Sequence, residues 1–342
     1  MEELGFRREI TLGRCLDPFT GFQEKESPIE IRHDGITGVT CRILPFRFSL
    51  AEKPDIASYL EKFPESVCPF CAGLFDAMTP RFLPHICPEG KFRRGDAVLF
   101  PNAFPYDRNN AVAIFSHDHL LGLTELTPAF MEDGFLVCRD YFAAMQAREP
   151  SLTYASVNWN YMPPAGGGLV HPHLQTLLGE TPTRRVASMR DSAVAYHGRT
   201  GRNLWRDFCG KERKTNERFI ADTGSVVWLS SFAPGGMAGE VLFFFPERTS
   251  LLSVSEDEIR EFLDGLSRVL SYFDSCNFIS FNMAFYGTLK EDDHLWVQGR
   301  IMPRFLLPPL GTSDMNYFEK FHGEIICPSV PEDLCREIAK LF

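Results

Sequence analysis

Two stretches of this chain, about 125 to 130 residues apart, carry the same order of structural signals, and a duplication of one unit is the reading that accounts for it. The first copy runs through a strand at 111–115, a helix capped by Thr127 with Pro128 in its first turn, and strands at 151–160 and 171–178. The second runs through a strand at 241–245, a helix opening at Ser255 with Glu258 placed for a capping box, and strands at 278–284 and 295–302. Ala155-Ser-Val-Asn158 aligns with Ile279-Ser-Phe-Asn282 between the copies. The expected fold class is α+β: duplicated units, mainly antiparallel sheet with helices packed on it, divided as residues 1–180 and 181–342. The alternative is coincidence, because strand-helix-strand-strand patterns are common. Ahead of the first copy, strands at 29–32 and 39–44 flank a His-Asp-Gly-Ile-Thr-Gly turn and predict a hairpin.

A net charge of -10 gives no footing for nonspecific binding to nucleic acid or to an anionic membrane, both of which are held by clustered lysine and arginine. Small-molecule substrates fit better, and an anionic one needs a local basic pocket, for which Arg32, Arg42, Arg47, Arg93, Arg94 and Arg108 are available. The start lacks the apolar core of a secretory signal, and the longest apolar runs, such as 241–245, are too short to span a bilayer. The expectation is a soluble, cytoplasmic protein. Its ten cysteines lack the regular spacing of a disulfide framework, and in a reducing compartment most read as buried thiols.

Cys68 and Cys71 stand apart from the rest. They lie in a proline-rich, irregular stretch at 64–95 that needs some brace, and a two-residue spacing lets both thiolates reach one zinc ion. His85 and Cys87 are close enough in sequence to complete a local set.

The sharpest local signal is Gly166-Gly-Gly-Leu-Val-His-Pro-His-Leu-Gln175. Strand alternation puts His171, His173 and Gln175 on one face. Pro172 restricts His171 to extended backbone and implies an edge strand, or a position that needs no amide donor. A neutral imidazole is a competent nucleophile near neutral pH when its other nitrogen is held by a hydrogen bond. The glycines at 166–168 let backbone amides approach phosphate oxygens, as in an anion nest; a plain turn is the alternative.

The string His171-Pro-His-Leu-Gln175 resembles the HPHxQ pattern of the galactose-1-phosphate uridylyltransferase branch of the histidine-triad superfamily. Cys68-Pro-Phe-Cys71, Phe100-Pro-Asn-Ala-Phe104, Ser116-His-Asp-His119 and Asn160 agree in order, over roughly residues 14 to 310. The resemblance implies a nucleotidyltransferase in which His173 attacks the α-phosphorus of a nucleotide sugar and Gln175 holds the nucleotidyl group for transfer to a sugar 1-phosphate. It implies nucleotide contacts at Asn102, Asn160, Gly167 and Gly168, and places Arg42 near the phosphates. It implies one structural zinc held by Cys68, Cys71, His119 and His171, and a homodimer, because family arginines reach a neighbouring subunit's site. A second family metal site is expected to be absent: Gln298, Arg300 and Tyr286 stand where its histidines belong. The same departures weaken galactose metabolism as the setting. A phosphorylase using inorganic phosphate, and a non-catalytic zinc-braced nucleotide-binding protein, remain open beside the transferase.

Overall fold

A computed structural model describes residues 4–44 and 49–342; Arg47 lies outside the described residues. Strands occupy β1 (Arg7–Asp17), β2 (Gln23–His33), β3 (Thr40–Ile43), β4 (Phe92–Arg94), β5 (Ala97–Pro101), β6 (Asn109–Ile114), β7 (Tyr154–Tyr161), β8 (His173–Gly179), β9 (Phe219–Asp222), β10 (Val227–Ser230), β11 (Val241–Phe244), β12 (Ser280–Thr288), β13 (Gln298–Arg304), β14 (Leu306–Leu307), β15 (Thr312–Ser313) and β16 (Glu324–Cys327). Helices occupy α1 (Ser58–Lys62), α2 (Ala72–Met78), α3 (Pro128–Arg148), α4 (Arg184–Thr200), α5 (Leu204–Thr215), α6 (Glu256–Ser275) and α7 (Pro331–Ile338).

Ten strands form one sheet in the order β4-β5-β6-β8-β7-β12-β13-β11-β10-β9. That order reads the same from both ends once β4 is matched with β9, β5 with β10, β6 with β11, β8 with β13 and β7 with β12. The duplicated α+β fold read from sequence is therefore present, and the copies meet where β7 pairs antiparallel with β12 from Phe281↔Tyr161 to Thr288↔Tyr154.

The two long helices form where their caps predict. Thr127 accepts from the Phe130 amide, and Ser255 and Glu258 make the reciprocal capping box that satisfies two otherwise orphaned donors. Both helices pack on one face of the sheet, with Phe135 edge-on to Phe262 between them. The other face is covered only at its ends. Under β5 and β6, Phe70, Phe75 and the two loop cysteines build a small core. At the far end, α4, α5 and the N-terminal strands build another over β10 and β11. The strip between, on β8, β7, β12 and β13, keeps an open face.

The predicted hairpin forms as β2 and β3. It is part of a larger sheet, β1-β2-β3-β16, in which the C-terminal β16 runs parallel to β3. β1 was not signalled by alternation, because nearly all of its residues are exposed on both faces. The strand carrying Gln175 is not an edge: β8 lies between β6 and β7. It starts at His173, so Pro172 precedes the ladder and costs it no donor.

A buried ionic clasp fastens the small sheet to the body. Arg32, on β2, donates through both terminal nitrogens to the Glu332 carboxylate of α7 at 2.9 and 2.8 Å. Arg218 donates to the same carboxylate at 2.8 Å and to Glu212 of α5 at 3.0 Å. Both guanidinium groups lie over the Phe232 ring, at 5.0 and 5.2 Å. Burial pushes the Glu332 carboxyl up, but the hydrogen bonds and charges of Arg32 and Arg218 outweigh it and hold it down at about 2. A depressed carboxyl stabilises the fold fully above its ordinary value of 4.5 and loses that contribution as pH falls toward 2. Glu332→Gln should therefore cost roughly 2 to 3 kcal/mol near neutrality, since it leaves two buried cations short of a partner. In urea unfolding, the gap between wild type and variant should close as pH is lowered through that window. A gap that stays constant would assign the stability to packing instead.

Candidate active site and metal cluster

Pairing fixes which side chains share the open face. Along β8, His173 and Gln175 lie opposite Ile114 and Val112 of β6, whose side chains enter the small core with Phe70. Gln175 in turn lies opposite Asn158 of β7. His171 precedes the strand, yet its ring comes to the same place: the Phe70 ring stands edge-on to both imidazoles, 5.8 Å from His171 and 5.3 Å from His173. Phe70 sits between the two cysteines in sequence, so the loop that carries them also supplies the wall against the His173 ring.

The hydrogen bonds assign each imidazole. His173 Nδ1 donates to the His171 carbonyl at 2.8 Å, which leaves Nε2 as the nitrogen with a free lone pair. Burial pushes its pKa down, favouring the neutral ring, while the bond to the His171 carbonyl works weakly the other way. His171 Nε2 donates to the Ser116 carbonyl at 3.0 Å, and His119 Nε2 donates to the Phe63 carbonyl at 2.8 Å. Both of these rings therefore present Nδ1 to the cysteine sulfurs.

Those four residues close on one point. Cys71 Sγ lies 3.2 Å from His119 Nδ1 and 3.7 Å from His171 Nδ1, and Cys68 Sγ lies 3.8 Å from His171 Nδ1. All four ligand atoms fall within 4.8 Å of one another, and all four residues are buried. Tetrahedral bonds of about 2.0 to 2.3 Å put neighbouring ligand atoms about 3.3 to 3.8 Å apart, so the set has the dimensions of a four-coordinate metal site. Burial, and then the neighbouring Cys68, push the Cys71 thiol up to about 12, and burial holds the His171 ring down at about 4. A divalent cation would reverse the thiol shift and be met by an imidazole already neutral. The backbone carbonyls behind both rings supply the orienting shell such sites use. The sequence-local alternative is not assembled: His85 is exposed, and Cys87 Sγ donates to Glu89 at 3.6 Å.

The remaining predicted positions divide. Asn160 lies on β7 on the open face and accepts from Asn282 at 2.7 Å. A side chain at Gly167 would press within 2.8 Å of the Asn160 carbonyl, and Gly166 takes a φ of +81°, so the turn requires both glycines; Gly168 faces open space. Asn102 shapes the loop after β5, donating to Asn110 at 2.8 Å and accepting from the Phe104 amide at 2.9 Å. Arg42 is held in the small sheet by Glu324 and by the Phe318 ring at 4.7 Å, and it has no described contact with His173. Among the described residues, the arginines available for a basic pocket do not gather beside His173. Arg32 is spent in the clasp, Arg94 pairs with Glu256 at 2.7 Å, Arg108 pairs with Glu149 at 2.8 Å, and Arg93 is exposed. In the second copy, Arg300 donates to Glu240 at 3.0 Å and to the Tyr286 hydroxyl at 3.2 Å. Sequence reasoning missed Phe70, Asn158 and Glu240. Phe70 was readable from its place inside the cysteine pair, but Glu240 follows no periodic signal.

No protein-family model matches the chain. An uncharacterized protein of Archaeoglobus fulgidus is 27% identical over 340 residues, 98% of each chain. Among solved structures, a GalT-like protein from Arabidopsis thaliana superposes with a TM-score of 0.69 at 19% identity, covering 91% of this chain and 98% of that one. An ADP-glucose phosphorylase from Arabidopsis thaliana with bound ADP-glucose gives 0.67 at 20%, with 91% and 99% covered. A uridylyltransferase gives 0.65 at 16%, with 91% and 97% covered. The chain has the fold of these GalT-like, ADP-glucose phosphorylase and uridylyltransferase structures.

Proposed function

We propose that the protein is a cytoplasmic, homodimeric nucleotidyltransferase that moves a nucleoside monophosphate from a nucleotide sugar to a sugar 1-phosphate through a nucleotidyl intermediate on His173. The observation that carries the reading is the His173 ring itself. One nitrogen is tied to the His171 carbonyl, and the other has no described hydrogen-bond partner, in a largely buried ring on the face it shares with Gln175. In the first half, Nε2 forms a bond to the α-phosphorus as the bond from that phosphorus to the departing sugar phosphate breaks. The leaving group departs as a stable phosphate anion, so no protein acid is needed to protonate it. The Nδ1 proton stays on the ring, and the His171 carbonyl stabilises the positive charge that develops there. In the second half, an oxygen of the acceptor phosphate displaces the imidazole, and the ring returns to neutral. Gln175, Asn160 and the amides around Gly167 and Gly168 hold the nucleotidyl group between the halves.

Cys68, Cys71, His119 and His171 would hold a zinc ion as a structural brace. Bound there, it would steady the loop that carries Phe70 and the backbone whose carbonyl orients His173. Self-association is supported by the β1–β2 hairpin, which exposes Ile10, Leu16, Phe19 and Phe22. Ten free cysteines fit a reducing compartment.

Incubation with UDP-glucose or ADP-glucose should add one nucleoside monophosphate by intact-mass spectrometry, located on His173, and the mass gain names the base. His173→Gly should show no gain; an equal gain in that variant would eliminate the mechanism. Discharge of the adduct by inorganic phosphate alone, with no response to a sugar 1-phosphate, would make the protein a phosphorylase. Nucleotide binding without any adduct would make it a non-catalytic binder.

The purified protein should also carry close to one equivalent of zinc by elemental analysis. Cys71→Ser should lose most of that zinc, slow adduct formation by tenfold or more, and raise protease sensitivity at 64–95. Full zinc retention in this variant would remove Cys71 from the ligand set.

A further inference from the structure

The open strip of the sheet continues past Gln175 into the second copy. One cross-strand row runs Gln175, Asn158, Ala284, Arg300, and the next runs Asn160, Asn282, Met302. Ala284 is the short member of the first row. Over it the surface sinks into two adjoining cavities of about 320 and 260 Å³, which share Asn158, Arg185, Ala284 and Tyr286. Their combined size falls in the range of about 300 to 1,000 Å³ usual for small-molecule sites.

Two unsatisfied groups of opposite sign line this groove. Toward the α4 side, Arg185, which lines both cavities, stands in the first turn of the seventeen-residue helix α4, and its Nη1 is buried without a partner. Thr183 makes no side-chain cap there, and Arg184 and Arg185 occupy the turn with no acid. Two cations on the positive end of a helix dipole are mildly unfavourable, a cost that an anion bound there would offset. Asp107 is the one acid on that cavity's rim, and it is exposed. At the other end, Glu240 is fully buried. Its Oε2 accepts from the Gly235 amide at 3.0 Å and from Arg300, while Oε1 is buried with no donor; Glu240 is among the residues that line the smaller cavity. A buried carboxylate oxygen left unpaired costs free energy that a hydroxyl donor would recover. The amides of Asn158, Asn160 and Asn282 border the groove at that end.

We propose that this groove is a binding site for a phosphorylated polyhydroxy compound of sugar-phosphate size, with the phosphate on Arg185 and the first-turn amides of α4, and hydroxyls on Asn158, Asn282 and Glu240 Oε1. The site straddles the β7–β12 seam between the copies, and its integrity does not depend on whether His173 carries a nucleotide.

Isothermal titration of the full chain with glucose 1-phosphate, inorganic phosphate and glucose tests it. Glucose 1-phosphate should bind tighter than either fragment. Arg185→Gln should weaken both phosphate-bearing probes by tenfold or more, and Arg185→Lys should restore part of the loss. Glucose 1-phosphate binding should persist in His173→Asn. Wild-type affinity in Arg185→Gln, or binding abolished by His173→Asn alone, would overturn the site. If no His173 adduct forms in wild type while Arg185-dependent binding is intact, nucleotidyl transfer fails and this site stands.

Discussion

The pairing of β7 with β12 is the contact on which everything else rests. It joins two strand-helix-strand-strand units into one ten-stranded sheet and puts the helices of both on the same side. A sheet with one face buried under two long helices must do something different with the other. Here the ends of that second face are roofed by unlike structures, the cysteine loop over one copy and α4–α5 with the N-terminal strands over the other. The middle strip stays uncovered.

Symmetry of backbone makes the asymmetry of side chains easy to see. Asn158 and Asn282 align between the copies, and they pair with Gln175 and Met302. By the same register, Arg300 stands for His173 and Gln298 for His171. One copy has an imidazole with a free nitrogen beside a candidate cation site. The other has a guanidinium that Glu240, aided by Tyr286 and Asp34, keeps charged against the cost of burial. A ring nitrogen can attack and leave, whereas a paired guanidinium can only hold charge. The two copies therefore differ in chemistry while sharing geometry.

The metal cluster and the candidate nucleophile are mechanically one object. His171 contributes its Nδ1 to the cluster and its carbonyl to His173, and Phe70, from between the cysteines, flanks both rings. A cation held by those four residues would organise the loop and so orient the His173 ring without touching it, through the backbone the two histidines share.

Local rules in the sequence determined the caps at Thr127 and Ser255, the order of strands in each copy, and the meeting of His173 with Gln175, because capping, alternation and a proline's restriction act within a few residues. Of the two places open to Pro172, the structure takes the one that needs no amide donor, just ahead of the ladder; the local rules passed over β1, which has no buried face to pattern. Only the tertiary structure decided the destinations of the arginines and the closure of the four-ligand cluster. It also decided the clasp at Glu332, since each joins positions from about 50 to 300 residues apart. A charged side chain's partner is chosen by packing at that range, and no short window of sequence records it.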